Sequence, residues 1–92
     1  MSVTVRIPAQ LRTLSGGAGE LSLSGSTVAE VLKDLDASHP GFADRLFDDT
    51  GGLRRFVNIF LADEDVRFLQ GLDTTVTDGQ TLSIVPAVAG GS

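Results

Sequence analysis

The run Thr81-Leu-Ser-Ile-Val-Pro-Ala-Val-Ala-Gly-Gly-Ser92 decides the fold. Its first half, Thr81 to Val85, reads as a strand, and Pro86 closes it. Residues 87–92 then carry no charge and no large side chain. Such a segment adds nothing to a core, but glycine lacks a Cβ, so its backbone fits an extended slot too narrow for any side chain. The body, residues 1–86, is expected to present the tail, residues 87–92, to another protein's active site. Ala89, Gly90 and Gly91 are the residues that would thread such a slot. From Pro86 to Gly91 the extended chain spans roughly 20 Å at about 3.3–3.6 Å per residue. Ordering it costs on the order of 1–2 kcal/mol per residue, so contacts of the body must supply the affinity.

Outward from that run, Asp78-Gly79 is a turn signal that ends a loop over Gln70–Gly79. Val66-Arg67-Phe68 is expected as a short strand returning from a turn at Asp63-Glu64-Asp65. The acidic trio lacks the twelve-position ligand pattern of a calcium loop. Phe56 to Leu61 is aromatic and β-branched, the strongest strand in the chain. Both phases of this run are apolar, so two registers are open. If Val57, Ile59 and Leu61 face the core, then Phe56, Asn58 and Phe60 face outward beside Ser83 and Val85. An exposed aromatic and aliphatic patch is the mark of a docking surface. Phe60, Asn58, Val85, Pro86 and Val88 are accordingly the expected partner-binding residues.

Val28, Val31, Leu32 and Leu35 fall at i, i+3, i+4 and i+7, one helical stripe. Thr27 and Glu30 have capping-box spacing ahead of it, and Pro40-Gly41 stop it near Ser38. Lys33, Asp34 and Asp36 belong to the outer face. A short helical turn is expected in Phe42–Phe47. At the start, Val3, Val5 and Ile7 alternate with polar residues, as do Leu21 and Leu23, which predicts a hairpin of two half-buried strands. One amphipathic helix on one sheet makes a two-layer α+β domain.

Composition narrows the function. The 92 residues suffice for one domain. The absence of cysteine removes disulfides, iron–sulfur ligation and thiol nucleophiles, and with His39 the only histidine no transition-metal site is expected. His39 is assigned no chemistry. The net charge of −5 argues against nucleic acid, which requires a clustered positive surface. Neither a membrane span nor a secretory signal is visible, so a cytoplasmic protein is expected. Arg54 and Arg67 are available to pair with a partner, although exposed pairs are individually weak.

The order of elements, with Asp78-Gly79, Leu82–Val85, Pro86-Ala-Val-Ala and Gly90-Gly91, resembles the ubiquitin-like sulfur carriers of the ThiS and MoaD family. Arg55-Phe-Val-Asn-Ile59, Asp63–Phe68 and Pro86–Gly91 are similar to the actinobacterial cysteine-biosynthesis carriers within it. The resemblance covers essentially the whole chain. It implies a β-grasp fold, a mixed sheet of four to five strands on one main helix with a flexible diglycine tail. It implies that a partner of the ubiquitin-activating type adenylates the Gly91 carboxylate with ATP and magnesium, and that sulfur replaces AMP to leave a thiocarboxylate. A pyridoxal-phosphate cysteine synthase or a thiosugar synthase would accept that sulfur, and a JAMM-type zinc peptidase would regenerate the carrier. ATP, magnesium and pyridoxal phosphate belong to those partners, so the chain itself is expected to bind no cofactor or metal and to be a protein co-substrate, not an enzyme.

Ser92 departs from the family pattern, because Gly91 has no carboxylate while Ser92 remains. A trimmed precursor, an appended residue and a deliberate block all account for it; the precursor is favoured. Two other functions stay open. One is a ubiquitin-like modifier joining Gly91 to target lysines, although self-linked chains have only Lys33 to use. The other is a binding domain with an inert tail. Thiamin- and molybdopterin-type acceptors are further alternatives, since the acceptor is chosen by the partner's site.

Overall fold

The computed structural model describes residues 2–55 and 57–86. Strands β1 (Val3–Arg6) and β2 (Glu20–Leu23) pair antiparallel as the expected hairpin, with Val3 opposite Leu23 and Val5 opposite Leu21. Helix α1 covers Val28–Ser38 and α2 Phe42–Leu46. Strands β3 (Val57–Leu61), β4 (Glu64–Asp65) and β5 (Thr81–Pro86) complete a five-stranded sheet of order β2-β1-β5-β3-β4. Only β1 and β5 run parallel, so the sheet is mixed. The last strand occupies its centre, and that is what fixes the root of the tail.

The core lies between sheet and α1. Val3, Val5, Ile59, Leu82 and Ile84 meet Val28, Val31, Leu32 and Leu35, all buried. Thr27 caps the helix, its Oγ1 accepting the Glu30 N–H at 3.2 Å. The Glu30 carboxylate reaches back as predicted, but to the Ser26 N–H at 2.9 Å, one residue beyond the cap. Thr27→Ala should cost about 1 kcal/mol, read as a lower denaturant midpoint with an unchanged slope. Before the cap, a Cβ on Gly25 would lie 2.7 Å from the Val31 nitrogen and 2.8 Å from its Cγ2. Gly25→Ala therefore has to push α1 off its seat, and a loss of about 1–3 kcal/mol is expected in the same assay.

The sequence reading is corrected in two places. Asp34 and Asp36, expected on the outer face, are half-buried and act as backbone acceptors. Asp34 takes the Ser24 N–H at 3.0 Å; Asp36 takes those of Gly41 and Ala43 at 3.2 and 2.9 Å, joining α1 to α2. Val66–Phe68 is a 3-10 turn, not a strand, and the returning strand is Glu64–Asp65 instead. The cause is local: Asp65 Oδ1 accepts the Arg67 N–H at 2.9 Å and curls the chain, while Val66 is drawn into the core. The Gln70–Gly79 loop contains a 3-10 turn at Gly71–Asp73 and is pinned to the head of α1 through Val28 N–H to Thr74 O at 3.0 Å.

One tight turn carries strain. Leu61 pairs with Glu64, leaving Ala62 and Asp63 as the loop, and Ala62 sits at φ 56°. Left-handed backbone costs a residue with a Cβ roughly 1–2 kcal/mol, and glycine escapes this. Ala62→Gly is expected to stabilise the fold by up to about 1 kcal/mol after its larger unfolded-state entropy is offset. A lowered thermal midpoint would contradict that.

Candidate functional site: the root of the tail

Strand alternation sets the two faces of the sheet. Val57, Ile59 and Leu61 are buried toward α1, so Asn58 and Phe60 lie on the face away from the helix, the first of the two registers left open above. Cross-strand pairing puts Asn58 opposite Val85 and Phe60 opposite Ser83, with Val57 opposite Pro86, the last residue of β5. Val85 is 44% exposed, whereas Asn58, Phe60 and Pro86 are half-buried. The structure thus brings together four of the five residues expected to meet a partner. Val88, Ala89, Gly90 and Gly91 lie outside the described residues, as do Phe56 and the tail side of the 86/87 boundary.

Beside Val85 the open face forms a shallow groove of about 570 Å³ between Arg6, Pro8, Arg12, Gly19 and Ser83. Arg12 is held on its wall: its Nε donates to Ile7 O at 3.1 Å, and the guanidinium lies flat over Gly19, 3.5 Å from where a Cβ would be. Arg6 contacts Glu20 at 3.7 Å, an exposed and therefore weak pair. Arg67, expected to be free for a partner, is instead tied down. Its Nη1 donates to Asn58 Oδ1 and its Nη2 to Arg54 O at 2.9 Å, joining the 3-10 turn to β3.

Sequence reasoning missed this clamp and its consequence, that Phe68 stands 85% exposed and Leu69 42% exposed. The available signal was Asp65 two residues before Arg67, the spacing of an Asx turn. Arg54 Nε donates to Asp44 O at 3.0 Å, so it too serves the fold. Asp48 is held below the ordinary carboxylate range, mainly by the Thr50 hydroxyl and next by the Thr50 N–H. It organises an exposed turn. His39 closes α1, its N–H bonded to Leu35 O. No group of three or more metal-ligating side chains occurs among the described residues. Nor, among them, is any helix long and apolar enough to cross a membrane.

What this end of the sheet offers is an open, grooved face of mixed polarity beside Val85, with Pro86 at the end of β5. The model of the ThiS family matches residues 5–91. This chain belongs to the ThiS family. The match stops at Gly91, one residue before Ser92. The chain is 50% identical over 93 residues to the sulfur carrier protein CysO of Mycobacterium tuberculosis, covering 99% of this chain and 100% of that one. It is 39% identical over 66 residues to small archaeal modifier protein 3 of Haloferax volcanii, covering 72% of this chain and 71% of that one. In a crystal structure of an Amycolatopsis orientalis BexX/CysO complex, a chain 48% identical superposes with a TM-score of 0.91, covering 97% of this chain and 99% of that one. The ThiS-family fold here is the ubiquitin-like β-grasp, and the likeness to CysO supports a sulfur-carrier role.

Proposed function

We propose that the chain carries sulfur as a thiocarboxylate on Gly91, formed after Ser92 is removed, and gives it to a biosynthetic enzyme. The observation that carries this is the seating of β5 in the centre of the sheet with Pro86 as its last residue, after which the uncharged residues 87–92 follow in sequence. The chemistry divides accordingly. A free carboxylate holds its oxygen poorly disposed to leave; a partner that transfers AMP to it from ATP, with pyrophosphate departing, turns it into a mixed anhydride. Sulfide sulfur then adds to the Gly91 carbonyl carbon, AMP departs, and the thiocarboxylate remains. The chain supplies the acyl end, the reach and the docking face, and acts as co-substrate rather than catalyst. ATP with magnesium belongs to an activating enzyme of the ubiquitin-activating type. The complex of a CysO with BexX supports the idea that such a carrier binds a partner protein.

For the acceptor, cysteine synthesis is the preferred route, resting on the 50% identity to CysO, with a JAMM-type peptidase completing the cycle. A thiosugar synthase is the alternative. A cytoplasmic site of action accords with ATP-dependent activation. The test uses two chains, one ending at Gly91 and one retaining Ser92. With the cognate activating enzyme, ATP and magnesium, only the first should support pyrophosphate exchange. Equal exchange by both would place the activated carboxylate on Ser92 and refute the assignment. A second reading, protein modification through Gly91, is favoured by the likeness to small archaeal modifier protein 3. Stable conjugates to other proteins in place of thiocarboxylate would establish it.

A further inference from the structure

On the open face of the sheet Asn58 stands opposite Val85, one step from Pro86, the last residue of β5. Its side-chain amide is held in one direction. The Arg67 guanidinium lies against it, Nη1 donating to Asn58 Oδ1 and Nη2 to Arg54 O at 2.9 Å. The base of Arg67 is fixed as well: its N–H bonds Asp65 Oδ1 at 2.9 Å, and Val66 before it is buried in the core. Arginine carries five N–H donors and no acceptor, so an amide NH2 turned toward it would set donor against donor. The Asn58 oxygen therefore faces Arg67, and Nδ2 is turned away.

Asn58 Nδ2 donates to no described residue. Among the described residues no buried side-chain nitrogen or oxygen lacks a partner, so this nitrogen is one that solvent reaches. With Oδ1 engaged, Asn58 offers the open face hydrogen-bond donors. The end of β5 is also the part of the body an enzyme acting on Gly91 must approach, because at most roughly 20 Å of extended chain separates Pro86 from that residue. A second copy is a poorer occupant: at a two-fold axis this donor would meet its own copy, donor to donor. We infer that Asn58 Nδ2 donates to an acceptor oxygen of the activating enzyme that receives the tail, and that Arg67 is the positioning residue that turns the amide for it. This rests on the proposed carrier function and adds to it the polarity of one contact and the residue that sets that polarity.

The experiment uses the full chain ending at Gly91 and the cognate activating enzyme. Binding is measured by calorimetry, thiocarboxylate formation by intact mass, and stability by thermal melting. Asn58→Asp is the decisive variant. Its carboxylate still accepts from Arg67, so the body should melt no lower than wild type, but no donor remains on the open face. Its Kd and KM should rise at least about 10-fold with kcat unchanged, because the enzyme's acceptor is left without a partner. Asn58→Ala, which removes the same donor, should show a like loss. Arg67→Ala should raise Kd about 3-fold in the wild-type chain and not at all in the Asn58→Ala chain. An Asn58→Asp chain that binds as tightly as wild type overturns the inference. So does an Arg67→Ala loss of equal size in both backgrounds, which would mean that Arg67 does not act through Asn58. Asn58-dependent self-association in sedimentation with unchanged enzyme affinity, or a wild-type chain that does not bind the enzyme, overturns it too. Binding that depends on Asn58 without any thiolation would refute the carrier function and leave the contact standing.

Discussion

With Gly90 replaced by tryptophan, the chain is expected to melt as wild type does and to lose about 100-fold or more of its thiocarboxylate formation. Residue 90 lies four positions beyond Pro86, and the core formed among the described residues runs from Val3 to Ile84. The partner, by contrast, must bring the Gly91 carboxylate within bonding distance of an ATP phosphate. A misplacement of about 1 Å in such a reaction is enough for a 100-fold loss. A bulky side chain at the penultimate position of a narrow slot displaces the end by more than that. The measurement is initial rate by intact mass, beside a thermal melt of the same sample. Thiolation of the tryptophan variant at the normal rate would show that no slot exists.

Leu32→Asp should leave the chain largely unfolded at neutral pH. Leu32 is fully buried in the stripe that α1 lays on the sheet, among Val28, Val31 and Leu35. Truncating a buried leucine costs about 2–5 kcal/mol. An unpaired carboxylate in the same place adds a desolvation cost of several more, unless it takes up a proton. Domains of this size hold about 5–15 kcal/mol in total, so little remains. Loss of the cooperative transition in circular dichroism is the expected result. Because protonation relieves the cost, any residual fold should improve as the pH falls, the reverse of a salt-bridged carboxylate. A variant that keeps a wild-type midpoint would mean that the helix–sheet layer is not where the stability lies.

The parts of this fold that announce themselves in sequence are the ones set by nearest neighbours. Val3, Val5 and Ile7 alternate, Val28 to Leu35 repeat at helical spacing, and each pattern names its own buried face. Phe56–Leu61 does not, because Phe60 is as apolar as Ile59. What selects the register is pairing with β5, a strand more than twenty residues later. Strand order is hidden for the same reason. Val66-Arg67-Phe68 reads as a strand by composition, and one carboxylate, that of Asp65, curls it instead. Asp36 looks like a solvent residue until α2 brings two N–H groups to it. At the site, glycine and proline chemistry marks the tail root directly. The Arg67 clamp and the exposed Phe68 arise only once β3 and the 3-10 turn are side by side.

The most direct measurement is the intact mass of the chain ending at Gly91 after incubation with ATP, magnesium, sulfide and its cognate activating enzyme, followed by fragmentation to locate any change. The account predicts one oxygen exchanged for one sulfur, confined to the C-terminal residue and reversed on hydrolysis. Sulfur found elsewhere in the chain, or an unaltered mass when the enzyme demonstrably consumes ATP on the carrier, would contradict it.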